Sequence, residues 1–128
     1  MLLNGGRAGG RQLLAADSVE ELRRNQIGTL NAVLQTTAAP HWTADFGFMD
    51  GTQKFGFGVL VETHDRPSRR AAGSYGWGGI FNTYFWVDPA ADLAAVICMQ
   101  MSPFCTPACL AVYDDFERAL YRQLGLHR

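Results

Sequence analysis

A serine hydroxyl becomes a strong nucleophile when a base lies within reach, and a lysine one helical turn away is one way to supply it. Lys54 is the only lysine among the 128 residues, and the position three before it is Gly51, so the chain holds no Ser-x-x-Lys pair. Asparagine does not stand two residues after Tyr75, Tyr84, Tyr113 or Tyr121, which removes a Tyr-x-Asn proton shuttle as well. Ala72-Gly73-Ser74-Tyr75-Gly76 has the outline of a nucleophile elbow. An elbow needs a buried strand before it and a helix after it, whereas an Arg-rich stretch precedes Ser74 and an aromatic one follows, so the match is read as coincidental. His41, His64 and His127 stand singly, and Cys98, Cys105 and Cys109 form an odd set without a CxxC pair. Neither a zinc centre nor a disulfide framework is expected from that pattern. Cys105 and Cys109 flank a predicted helix start, where a thiol can be acidified, but the favoured reading is two small buried hydrophobes. No cofactor is expected.

One stretch keeps a chemical reading. Gly73-Ser-Tyr-Gly-Trp-Gly-Gly79 reads as a strand ending in a glycine-rich bend, where a backbone without side chains lets another molecule approach closely. Two readings of Trp77-Gly78-Gly79 stand side by side. One is an ordinary hairpin corner with an aromatic ring packed over it. The other is an edge strand whose next N–H, that of Ile80, points at an oxyanion while Trp77 walls a pocket.

The elements that must hold this bend follow from local pattern. Strands are predicted over 55–62, 73–79, 82–88 and 93–101. The short link Asp88-Pro-Ala-Ala-Asp92 makes the last two an antiparallel hairpin. Thr83, Phe85 and Val87 fall on one face and Tyr84 and Trp86 on the other. Both faces carry large apolar groups, so the sheet expects cover on each side. One cover is a C-terminal helix opened by Thr106-Pro107, with Cys109, Tyr113, Phe116, Leu120 and Leu124 at helical spacing and Gly125 as its stop. A short helix over 16–25 carries a Ser18/Glu21 capping box, with Val19 and Leu22 facing inward. Met1-Leu-Leu-Asn-Gly-Gly6 reads as a helical turn meeting a glycine stop, Gly9-Gly10 as a tight turn, and His64 to Ala72 as a solvated basic connector.

Apolar residues make up 48% of the chain and charged residues 18%, a globular composition with room for one domain. A formal net charge of −1 supplies no basic field, which argues against nucleic acid and anionic membranes as partners. No apolar run approaches the roughly 20 residues that span a bilayer, and the N-terminus lacks the pattern of a secretory signal.

Taken together, these segments resemble a family. Met1-Leu-Leu-Asn-Gly-Gly-Arg7, Arg11-Gln-Leu-Leu14, Val19-Glu-Glu-Leu22, Asn25-Gln-Ile-Gly28, Phe55-Gly-Phe-Gly-Val59 and Tyr75-Gly-Trp-Gly-Gly79 carry the likeness, with Thr83-Tyr-Phe-Trp-Val-Asp-Pro89 and Asp92-Leu93. The chain resembles the C-terminal segment of the β-lactamase-related serine hydrolases, which include class C β-lactamases, DD-peptidases and β-lactamase-like esterases. The resemblance implies an α+β fold, an antiparallel sheet with a packed C-terminal helix. It makes Trp77-Gly78-Gly79 the third catalytic motif and Ile80 the donor of an oxyanion N–H. It also implies acyl transfer through a serine ester in the complete enzyme, on a small-molecule ester or amide: esters, β-lactams and D-amino peptides all fit. The serine, lysine and tyrosine of that chemistry have no counterpart here, so residues 1–128 are expected to be a single partial domain, inactive alone. The alternative is a non-catalytic domain that binds a ligand or partner through the Trp77 strand. With one visible cover for a two-sided sheet, the isolated chain is expected to be marginal, to self-associate, or to expose an apolar patch, its second cover belonging to a missing N-terminal half.

Overall fold

The computed structural model describes residues 1–126. A 3-10 turn, Leu2–Asn4, leads into a small hairpin, β1 (Arg7–Ala8) and β2 (Arg11–Gln12), and then helix α1 (Ala16–Leu22). Five strands follow: β3 (Lys54–Phe55), β4 (Leu60–Val61), β5 (Tyr75–Gly78), β6 (Tyr84–Asp88) and β7 (Leu93–Ile97). They form one antiparallel sheet in sequence order, with β3 and β7 at its edges. Helix α2 (Pro107–Gln123) closes the chain.

The meander from β5 to β7 matches its predicted strands, each shorter by a few residues. Asp88 ends β6 and caps the turn that follows, its Oδ1 accepting from the Ala90 and Ala91 N–H groups at 3.1 and 3.2 Å. Its Oδ2 accepts from the Ala71 N–H at 3.1 Å and the Tyr121 hydroxyl at 2.8 Å. One fully buried carboxylate therefore joins the sheet, a connector and α2.

Thr106 caps α2 through the Cys109 N–H, with Pro107 behind it. The buried face of the helix differs from the predicted stripe. Cys109, Glu117 and Tyr121 are buried, whereas Leu124 is exposed. Tyr84 and Trp86 lie beneath this face, and the Trp86 indole N–H donates to the Tyr121 hydroxyl at 3.3 Å. Glu117 can be buried because Arg70, 47 positions away, meets it with two guanidinium hydrogen bonds of 2.7 and 2.9 Å.

That pairing corrects the solvated connector at its arginines, while His64, Asp65, Pro67 and Ser68 are exposed as expected. Arg66 bridges Glu62 and Asp50, Arg69 pairs with Asp114, and Arg70 is only 6% exposed with its guanidinium over the Trp86 ring. Burial alone would lower the Arg70 pKa. The neighbouring Tyr113 and the hydrogen bonds and charge of Glu117 outweigh it and hold the guanidinium above its ordinary value.

Two other expectations are corrected. The single strand over 55–62 is a hairpin, because Gly58 adopts a left-handed φ of 76° and Gly56 N–H closes the turn onto Val59 O at 2.8 Å. The Ser18 capping box does not form: Ala15 is the N-cap, without a side-chain bond, and the Ser18 N–H goes to Ala15 O.

The second face of the sheet also has a cover within these residues. Leu2, Leu3 and Leu22 pack on Val59, Val61, Tyr75 and Val87. This cover thins toward β7, where Val96 remains 58% exposed beside half-buried Phe85.

Candidate functional site

Strand β5 places the glycine motif at the end of the sheet. Tyr75, Gly76, Trp77 and Gly78 stand opposite Val87, Trp86, Phe85 and Tyr84 of β6. Gly79 then donates to Thr83 O and accepts from the Asn82 N–H, both at 2.8 Å, which closes a three-residue loop of Ile80, Phe81 and Asn82. Asn82 carries the left-handed φ of 64° that such a loop needs at its last position. The fully buried Asn82 side chain fixes the loop from below. Its Nδ2 donates to Met101 O and Pro103 O at 2.9 and 3.1 Å, and its Oδ1 accepts from the Cys105 N–H and the Tyr84 hydroxyl.

Hydrogen bonding alternates along an antiparallel strand. With Gly79 bonded to β6, the N–H groups of Gly78 and Ile80 turn to the opposite side. Strand β4 provides no partner there, because its pairing with β5 ends at Leu60 opposite Gly76. Ile80 is 47% exposed, and its N–H has no hydrogen-bond partner among the described residues. The expected edge strand is thus corrected. β5 is the third of five strands, and only its last residues overhang a short neighbour.

The two glycines of the bend differ. A Cβ on Gly78 would lie 2.6 Å from Tyr84 Cε1 and 3.2 Å from Phe104 Cζ, so the aromatic core by itself requires this glycine. A Cβ on Gly79 would meet nothing closer than Thr83 O at 3.8 Å, so the fold itself leaves room for a side chain at this position.

Trp77 is half-buried and packs edge-to-face on Phe55 and Phe48, with ring centres 5.0 and 5.7 Å apart. It forms one wall of a groove of about 400 Å³. The other walls come from Phe55 of β3 and from the 26–51 segment, which carries little periodicity. Its signal in the sequence is the apolar run around Leu30, Val33 and Leu34.

Among the described residues, the candidate nucleophiles are not assembled into a catalytic pair. Ser74 is fully buried and its Oγ has no hydrogen-bond partner among the described residues. Burial pushes the Cys105 thiol up to about 11, against the pull of the Tyr84 hydrogen bond, so it stays protonated at neutral pH. Cys105 and Cys109 are both buried, and Cys98 is exposed. His64 Nδ1 is hydrogen-bonded to the neighbouring Thr63 hydroxyl, and His127 lies outside the described residues. No group of three or more metal-ligating side chains gathers among the described residues.

A glycine strand with an outward N–H at its end, backed by a meander and a C-terminal helix, is the arrangement the family likeness implies. The family model described as Beta-lactamase matches residues 4–117. The chain belongs to the β-lactamase family. Within that family it is similar to the monacolin J acid methylbutanoyltransferase of Aspergillus terreus, 33% identical over 73 residues that make up 56% of this chain and 18% of that protein. It is also similar to protein Rv1367c of Mycobacterium tuberculosis, 27% identical over 144 residues covering 98% of this chain and 34% of the relative. Among solved structures, a mutant of the simvastatin synthase LovD from Aspergillus terreus superposes with a TM-score of 0.71 at 24% identity. That match covers 98% of this chain and 32% of the other. The fold is therefore the C-terminal part of the β-lactamase-like fold. The chain spans at most about a third of the length of these relatives.

Proposed function

We propose that this chain supplies the oxyanion-binding strand and one substrate wall of a β-lactamase-family acyl-transfer site. The attacking serine, its lysine and the proton-shuttling tyrosine come from residues outside these 128. The observation that carries the reading is the Ile80 N–H, outward and without a hydrogen-bond partner among the described residues, at the end of the glycine strand. A donor fixed before reaction costs no reorganisation when negative charge develops on a carbonyl oxygen. The relative named as a methylbutanoyltransferase supports acyl transfer as the reaction class. The substrate on this reading is a small ester or amide.

Two measurements test it. The chain alone is expected to show no turnover of p-nitrophenyl butyrate or of a chromogenic β-lactam. Steady turnover abolished by Ser74→Ala would refute the reading. An O-methyl alkylphosphonate, a tetrahedral anion resembling the reacting acyl centre, is expected to shift the Ile80 amide resonance. Ile80→Pro should fold normally, since proline suits the first central position of the type I turn on which three-residue hairpin loops are usually built, and should weaken phosphonate binding strongly by removing the Ile80 N–H. Undiminished binding to Ile80→Pro would also refute it.

A further inference from the structure

Strand β7 leaves one side of the sheet open. The chain stays alongside the β6 hairpin past the end of β7. The Met99 N–H donates to Thr83 Oγ1 at 3.2 Å, Thr83 Oγ1 donates to Met99 O at 3.0 Å, and the Met101 N–H donates to Phe81 O at 3.2 Å. Odd-numbered residues thus face inward, and alternation turns the N–H and C=O groups of Ala94, Val96, Cys98 and Gln100 to the outer edge. Neither Cys98 nor Gln100 makes a backbone hydrogen bond among the described residues. Such an edge is a template for another strand, and proteins blunt it with lysine, proline or short length. Leu93-Ala-Ala-Val-Ile-Cys-Met-Gln-Met101 contains no charged residue and no proline. The opposite edge is already occupied. The Gln26 N–H donates to Phe55 O at 2.8 Å and the Ala32 N–H to Gln53 O at 2.9 Å, so segment 26–32 lies along β3. Beside the open edge, Leu2, Leu3, Phe85 and the exposed Val96 line an apolar groove of about 320 Å³.

From these features we infer that the β7 edge is an interface between two copies of this chain, paired antiparallel through residues 94–100 about a twofold axis. In that register Ala94 stands opposite Gln100 of the second copy and Val96 opposite its Cys98, so each outward residue exchanges both its N–H and its C=O. A shift of one pairing step either way leaves one of the four unpaired in each copy. The strand is its own complement. Ile97 meets Ile97 of the second copy on the axis, a non-hydrogen-bonded pair whose side chains come close. Like charges directly opposite one another would oppose self-pairing, and residues 93–101 bring none. The axis stands perpendicular to the sheet, so the two apolar grooves fall on the same side of the joined sheet and flank the seam. Assembly stops at two copies, because the twofold pairing uses both open edges and β3 is covered. The inference is independent of the oxyanion reading.

Sedimentation velocity of the 128-residue chain tests it, under reducing conditions that exclude a disulfide through the exposed Cys98. The apparent mass is expected to climb from 14.1 kDa toward twice that value as concentration rises. Hydrogen exchange at the Ala94, Val96, Cys98 and Gln100 amides is expected to slow over the same range, a readout that needs no variant. Val96→Lys, at an exposed position, should weaken association at least about tenfold, since it sets an ammonium group from each copy beside the seam. The double variant Val96→Lys with Cys98→Glu should recover most of that loss, because the register places the new ammonium opposite the new carboxylate. A chain that stays monomeric at every concentration would overturn the inference. Association undiminished by Val96→Lys, or without protection of the four amides, would place the contact elsewhere and overturn it too. Open-ended assemblies would overturn the closed twofold, and a double variant as weak as the single one would overturn the register.

Discussion

Replacing Glu117 by alanine is expected to remove about 3–5 kcal/mol of stability, the cost of leaving one partner of a buried ion pair alone. Glu117 is 1% exposed and accepts from Arg70 Nε, Nη2 and the Arg70 backbone N–H. In its absence the guanidinium would keep the Tyr113 hydroxyl and the Trp86 ring face, 4.8 Å from its carbon, and neither carries a compensating charge. Against a typical total of about 5–15 kcal/mol, such a loss places the variant near unfolding at room temperature. Urea denaturation followed by tryptophan fluorescence reads it directly. The double variant Arg70→Met with Glu117→Leu should recover most of the loss, because a well-packed apolar pair removes both desolvation costs. A Glu117→Ala protein as stable as the parent would mean that α2 is not anchored through this pair.

Gly76→Ala is expected to cost about 3 kcal/mol or more, the upper end for overpacking. A Cβ there would stand 2.1 Å from Phe85 O and 2.8 Å from Trp86 Cα, so the clash is with the backbone of β6 and no side-chain rotation relieves it. The strands would have to part at the point where Trp86 is most deeply packed. Gly79→Ala, three residues along the same motif, should change stability by less than about 0.5 kcal/mol, as surface substitutions usually do. Denaturation midpoints of the two variants at equal slope provide the comparison. Equal effects at the two positions would refute the register between β5 and β6.

The contrast between these glycines marks where sequence reading stops. Local signals carry well: the alternation around Trp86, the Asp88-Pro89 turn and the Thr106-Pro107 helix start each depend on neighbours a few residues away. The Trp77-Gly78-Gly79 motif is visible for the same reason. Its environment is not, because Gly78 answers to Phe104 and the overhang of β5 depends on where β4 ends. Glu117 and Arg70 look like two solvated charges in sequence, since burial of either makes sense only once the other is beside it. The 26–51 segment shows least of all. Its apolar residues are held by single bridges, such as Ala32 to Gln53, and by the Lys54 contacts to backbone carbonyls rather than by a repeating element.

The ion pair between Arg70 and Glu117 bears on the order of assembly. Strands β5, β6 and β7 join through short connections, so their contacts close small loops and can form early, whereas Glu117 must find a partner 47 residues away. Docking of α2 is then expected to be a late event, with this contact absent from the folding barrier. Glu117→Ala should accordingly speed unfolding many-fold while leaving the refolding rate almost unchanged. A chevron plot would show the unfolding limb raised and the folding limb in place. The carboxylate that holds the helix on the sheet would in that case set how long the native state lasts, and have little influence on how fast it is reached.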